Sequence, residues 1–203
     1  MEINEKIIIH NNIRFRTNDN NYDEWFIYDS TSLNELSKEE YDIDPIKLKL
    51  FNQDTFRYFS DGSIEILYSS LRNMPIIPGV LLFDKQYGYH KDKILYKFRP
   101  DDKRTPYFLV PYKIKNIGFS KNTKNKFVII KFINWEFKHP YGQIVNTIGD
   151  VDILENFYEY QLYCKSLNAS IQMFNKNAIE KLRLTSESQY IEKILEKFPS
   201  IED

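Results

Sequence analysis

Between residues 79 and 147, short runs of apolar, aromatic and β-branched residues alternate with clusters of turn formers. The runs are Gly79–Phe83, Ile94–Phe98, Tyr107–Ile114, Phe127–Ile133 and Gln143–Thr147. The clusters fall at 87–90, 100–102, 120–123 and 139–142. This spacing predicts five short strands, which fit a small Greek-key barrel of the OB or cold-shock type that protects its edges by closure. Pro111, lacking an amide hydrogen, predicts an edge or bulge position in the third of them. Upstream, Ile7–Phe15, Trp25–Tyr28, Lys47–Phe51, Thr55–Phe59 and Ile64–Tyr68 are further candidate strands. Ser32 and Glu35 have capping-box spacing and predict a short helix ending near Tyr41. From Asp152 the apolar period becomes helical, with Asp152 as N-cap and Leu154, Phe157, Tyr158 and Leu162 on one face. Further helices are predicted after Asn175 (Ala178, Ile179, Leu182) and at Ser186, the last capped with Gln189 and ended by Pro199.

The fold class is therefore mostly β with C-terminal helices, in three segments. Residues 1–75 are a strand-rich unit, read either as a first five-stranded cold-shock-like barrel or as a partner sheet. Residues 76–151 are the OB/cold-shock barrel. Residues 152–203 are a helical extension.

Composition refines this picture. The chain has 203 residues with 28 basic and 29 acidic side chains, yet the charges are segregated. Residues 1–84 carry a net −7, residues 85–138 a net +10 and residues 139–203 a net −4. The basic stretch also holds twelve Phe, Tyr or Trp residues, interleaved with Lys and Arg in Tyr96–Arg99, Tyr112–Lys113, Phe119–Lys121 and Trp135–Lys138. Lysines and arginines neutralise backbone phosphates with release of counterions, and flat rings receive unstacked bases. Single-stranded RNA is the expected partner, since small barrels take single strands and no basic recognition helix is visible. In an alternating strand, however, the ring can be the inward core residue and the lysine its solvated neighbour, which gives the same interleaving. The residues expected to contact RNA are Arg99, Lys103, Arg104, Lys121, Lys126, Trp135 and Lys138, with Asp102 and Arg104 equally readable as an ion pair that pins a loop.

Catalytic patterns are missing. His10, His90 and His139 are isolated, no Gly-rich phosphate loop or nucleophile elbow occurs, and Cys164 lies on an apolar helical face. The acid pairs Asp42/Asp44, Asp101/Asp102 and Asp150/Asp152 sit where turns and caps are expected. No catalytic residue, metal ligand or cofactor site is assigned to the chain. A single cysteine, no signal-peptide pattern and no long apolar run predict an intracellular protein without a membrane span. Heavy use of Asn, Ile, Lys and Tyr suggests an AT-rich genome.

The run Phe98–Pro106 resembles the Phe-x-Pro-x-Asp-x-Arg-x-Pro stretch in the second cold-shock domain of RNB-type (ribonuclease II-like) exoribonucleases, the exosome's hydrolytic subunit among them. Phe98, Pro100, Asp102, Arg104 and Pro106 fall on that pattern. Trp135, Pro140, Gly142 and Gly149 are similar to the domain's closing segment, and Ile77–Phe174 looks closest to the versions carried by giant DNA viruses. The resemblance implies the RNA-guiding front end of a 3′-to-5′ exoribonuclease, cytoplasmic or in a virus factory or virion. The Mg²⁺-holding aspartates of such enzymes would lie in a catalytic RNB domain beyond the boundary that Phe198–Pro199 resembles. This chain is thus expected to be non-catalytic by itself, serving a catalytic domain in the same or another chain. The alternative is a nuclease-dead adaptor that docks a protein partner through its C-terminal helices.

Overall fold

A computed structural model describes residues 7–114, 124–167, 174, 176–180 and 187–197. Nine strands occur among these residues: β1 (Ile8–Thr17), β2 (Trp25–Asp29), β3 (Thr55–Phe59), β4 (Ile64–Tyr68), β5 (Ile77–His90), β6 (Lys93–Pro100), β7 (Phe108–Tyr112), β8 (Lys126–Asn134) and β9 (Tyr141–Asp150). With them come the one-turn helix α1 (Ser70–Asn73) and the longer α2 (Leu154–Cys164) and α3 (Glu187–Lys197). The chain divides into two compact units, residues 1–160 and 161–203.

The first four strands form an open antiparallel sheet in the order β2-β1-β3-β4, not a five-stranded barrel. Ile13, Phe15 and Thr17 alternate inward along β1, as a half-buried strand requires. The candidate strand at Lys47–Phe51 is instead a turn. The Asp44 carboxylate accepts the amides of Ile46 and Lys47 at 3.0 Å each, and Pro45 follows it, so the chain coils and Lys49 takes φ 59°. The helix expected from Ser32 to Tyr41 shrinks to a 3₁₀ turn at Lys38–Glu40. Asp29 captures the amides of Thr31 and Ser32, Leu33 adopts φ 61°, and Glu35 bridges to Tyr28, which leaves no helix start at Ser32.

The next five strands close into a barrel in the order β5-β6-β7-β9-β8, sealed by β5 against β8. Counted within the barrel this is strand order 1-2-3-5-4, with a parallel 3–5 contact at Leu109↔Tyr141, the OB arrangement. Gly79 is required where β5 crosses β6, because a Cβ there would lie 2.3 Å from the Phe98 ring and 2.4 Å from the Arg99 carbonyl oxygen. The turn expected at 87–90 lies further on. Irregularities between Leu82 and Gln86 and between Gln86 and Tyr89 absorb the extra residues, β5 runs to His90, and the chain reverses at Lys91–Asp92. Pro111 pairs with Leu95 on one side and has no β9 partner on the other, an edge position.

Phe51, fully buried, joins the sheet to the barrel. Its ring stacks 6.2 Å from Phe108 and lies 5.5 Å from Phe132 and 4.7 Å from Trp135. Arg72 covers Phe51 at 4.8 Å, donates to the buried Asp54 carboxylate at 2.5 Å and donates to the Lys49 carbonyl at 2.6 Å. Burial pushes the Asp54 carboxyl above its ordinary range despite that guanidinium. At the start of α2, Asp152 does not act as the expected cap: its carboxylate lies 2.5 Å from Lys124 Nζ. Tyr160 stacks on Phe127 at 4.3 Å and donates its hydroxyl to Asp101 at 2.9 Å. In the second unit residues 176–180 are helical and α3 begins at Glu187. Leu182, Ser186 and Pro199 lie outside the described residues.

Candidate nucleic-acid interface

Strand parity decides which side chains β6 offers to solvent. Tyr96, Phe98 and Pro100 point inward and are buried, while Lys93, Leu95, Lys97 and Arg99 point outward. The interleaving in Tyr96–Arg99 is therefore of the core-and-solvated-lysine kind within the strand. One outward cation meets a ring from just before β7 instead. Lys97 Nζ sits 3.9 Å above the centre of the Tyr107 ring. Lys97 is registered with Leu109, and Leu109 with Tyr141, so a cation, an aliphatic side chain and a phenol lie side by side across β6, β7 and β9.

Two loops flank this face. The β5–β6 hairpin brings His90 to 5.2 Å from Tyr141, ring centre to ring centre, over a cleft of about 380 Å³ lined also by Lys91, Lys93, Pro111 and Gln143. The β8–β9 loop carries Phe137, 81% exposed, followed by Lys138 and His139. Burial lowers the pKa of His139, and the charges of Lys138 and Lys97 lower it further. That repulsion links the loop electrically to β6. The same causes favour the neutral ring, which donates from one nitrogen and accepts at the other.

The residues expected from the sequence separate into groups. Arg99 and Lys138 are exposed and have no carboxylate partner among the described residues. Lys103 is exposed in the β6–β7 loop. Arg104 in the same loop grips Asp102 with two bonds of 2.9 and 3.0 Å, the ion-pair reading. Burial raises the Asp102 pKa, but the bonds and charge from Arg104 more than offset it, and the carboxyl lies below its ordinary value. Lys126 is paired with Asp150 at the other end of β8, and Lys113 and Lys124 are paired with Asp92 and Asp152. The cationic stretch is thus not one free surface, because several of its charges are answered locally. Trp135, expected to contact RNA, is 8% exposed and packed on Phe51, so its ring belongs to the core. Lys121 lies outside the described residues. Sequence reasoning missed Lys93, Lys97, Tyr107, His139 and Tyr141. The odd-number parity of 93, 97 and 99 was a usable sign of a shared outward face, whereas the neighbouring rings needed the cross-strand register.

Among the described residues, no three His, Cys, Asp or Glu side chains come together as a metal site, and no helix is long and apolar enough to cross a membrane.

Residues 95–159 match the family model of the Dis3-like cold-shock domain 2. No curated protein matches the chain. Among solved structures, the chain is similar to yeast Ssd1, a pseudonuclease, at 14% identity and a TM-score of 0.48, over 75% of this chain and 24% of that one. The chain thus spans about a quarter of the length of that protein. Phe98, Pro100, Asp102, Arg104 and Pro106 all lie within the matched residues, which are similar to a Dis3-like second cold-shock domain and run from β6 of the five-stranded barrel into α2.

Proposed function

We propose that this chain is the single-stranded RNA-binding, non-catalytic portion of an RNB-type 3′-to-5′ exoribonuclease, and that the strand lies on the outward face of β6 and β7. The observation that carries the reading is the row formed by Lys93, Lys97 and Arg99 beside Tyr107 and Tyr141. OB barrels use that same face, with the 1–2 and 4–5 loops, to hold oligonucleotides. Here those loops supply His90, Lys91, Phe137, Lys138 and His139. Phosphates are neutralised by the unpaired cations, and bases stack on Tyr141, Phe137 or Tyr107, the last once Lys97 swings from the ring to a phosphate. A phosphate beside Lys97 and Lys138 also relieves their repulsion of His139 and raises its pKa.

Fluorescence anisotropy with labelled oligo(A) at two salt concentrations tests this reading. Micromolar or tighter binding that weakens steeply with salt is expected, and failure to bind at low salt overturns it. The adaptor reading is favoured by one observation, the exposed Ile153, Leu154, Phe157 and Tyr158 at the start of α2. It requires a stoichiometric protein partner and RNA-independent function, so Lys97→Glu would leave that function intact.

A further inference from the structure

The segment 85–138 carries four acidic residues among fourteen basic ones, and three of the four are tied down. Asp101 accepts the Tyr160 hydroxyl at 2.9 Å, Asp102 holds Arg104 at 2.9 and 3.0 Å, and Glu136 accepts the Asn134 amide at 3.0 Å. Asp92 is the exception. Its partner, Lys113 Nζ, lies 3.4 Å away, and the two side chains are 70% and 69% exposed. An exposed pair this long contributes little to stability. A carboxylate between Lys91 and Lys93 also repels the phosphates that this face would meet, so its presence there calls for another role.

Asp92 lines the cleft of about 380 Å³ at the tip of the β5–β6 hairpin, a size within the roughly 300–1,000 Å³ of pockets that hold small ligands. The apolar part of the lining is Pro111, Ile133 and Ile144, with the rings of His90 and Tyr141 beside them. Gln143, Lys91 and Lys93 supply donors. Hydrogen bonds from its own backbone amide and from Lys113 hold the Asp92 carboxyl below the usual carboxylate range, so it accepts at neutral pH. A carboxylate has about four acceptor positions, and Lys113 does not exhaust them.

Among nucleobases, guanine fits this set. It alone presents two adjacent donors, N1–H and N2–H₂, which a carboxylate accepts as a parallel pair. Its O6 and N7 are acceptors, the partners that an amide NH₂ and ammonium groups require. Adenine and cytosine set an acceptor beside their single amine, and uracil sets a carbonyl on each side of its N–H, so each would turn an acceptor toward Asp92.

We propose that this cleft reads a guanine: N1–H and N2–H₂ donate to Asp92, Gln143 donates to the O6 edge, the ring lies against Tyr141 and Pro111, and the adjoining phosphate meets Lys91 or Lys93. For a guanine within a strand the assignment rests on the RNA-binding reading, to which it adds a base preference that phosphate contacts alone do not give.

Anisotropy titrations test it with three labelled strands of about 15 nucleotides, within the span of OB-type sites. They are oligo(A), oligo(A) with one central guanosine, and the same strand with inosine, which lacks the N2 amine. The guanosine strand should bind about tenfold tighter than oligo(A), and the inosine strand should lose most of that gain. In Asp92→Asn the guanosine-to-oligo(A) ratio should fall to about twofold or less. A ratio taken within one protein cancels the change of charge. Equal affinities for oligo(A) and the guanosine strand, or a preference that survives inosine or Asp92→Asn, overturn the pocket and leave the RNA-binding reading standing. Failure of every strand to bind at low salt overturns the RNA-binding reading instead, and the Gln143 side-chain amide resonances of the full chain, titrated with GMP and with AMP, then decide the pocket. Shifts with GMP alone that vanish in Asp92→Asn support a free guanine nucleotide as the ligand, and any other result overturns the pocket.

Discussion

Phe51→Ala removes the side chain that seats the open sheet on the barrel. The ring is fully buried, with Phe108, Phe132 and Trp135 within 6.2 Å and the Arg72 guanidinium over its face. Core Phe→Ala changes cost about 3–5 kcal/mol through lost transfer energy and the cavity left behind. Ring pairs add about 0.5–1.5 kcal/mol beyond area, and a cation over a ring about 0.5–2 kcal/mol. These terms overlap, so the expected loss is near the top of the first range, about 4–5 kcal/mol. Against a typical total of about 5–15 kcal/mol, that is a large share of the stability. Urea denaturation followed by tryptophan fluorescence and circular dichroism measures it. With a slope of about 2 kcal/mol per molar urea, the midpoint should fall by about 2 M. Phe51→Leu should cost less than half as much, because it keeps most of the buried volume. A loss below about 1.5 kcal/mol for Phe51→Ala refutes the reasoning, since so small a cost belongs to a site that a neighbour can refill.

Three further outcomes follow from the same geometry. Lys126→Gln should leave RNA affinity within about twofold of wild type in an anisotropy titration, because Asp150 already answers that charge. Trp135→Phe should lower the thermal midpoint without weakening RNA binding, since its ring faces Phe51 rather than solvent. Asp29 has its pKa depressed to about 2 by hydrogen bonds from Ser32, His10 and Thr31. A depressed carboxyl contributes stability that is present above its unfolded value near 4 and is lost as pH falls toward 2. Asp29→Asn should remove that component of the acid sensitivity, as read from urea midpoints at pH 5 and pH 3.

The barrel is legible in the sequence because each strand carries its own alternation and each loop its own turn chemistry. Tyr96 and Phe98 against Lys97 and Arg99 state the inward and outward sides of β6 without any neighbour. The helix that begins near Leu154 is legible from its local period, but not its buried face: Leu154, Phe157 and Tyr158 are exposed, and Asn156, Glu159 and Tyr160 are buried. Lys47–Phe51 misleads because Leu48 and Leu50 mimic a strand's alternation, while the Asp44–Pro45 turn start decides the conformation. The interface was less legible, since it depends on register across strands. Lys97 meets Tyr107, and shares a row with Tyr141 across Leu109, through pairings that no single strand encodes. Lys126 and Trp135 are less available than the sequence suggests, for the complementary reason. Asp150, twenty-four residues away, answers one, and Phe51, from the segment between β2 and β3, covers the other.

The electrostatic claim about the β6 face is tested most directly by the salt dependence of RNA affinity in wild type and in Lys97→Gln/Arg99→Gln. Single strands lose affinity with a logarithmic slope of about −0.7 per neutralised phosphate, so the cations Lys93, Lys97, Arg99 and Lys138 give about −2.8. Affinity of the wild type should then fall about fifty-fold between roughly 50 and 200 mM salt, and that of the double variant only about sevenfold. Equal slopes for the two proteins would contradict the account, because they would mean that the phosphates lie somewhere other than on this strand.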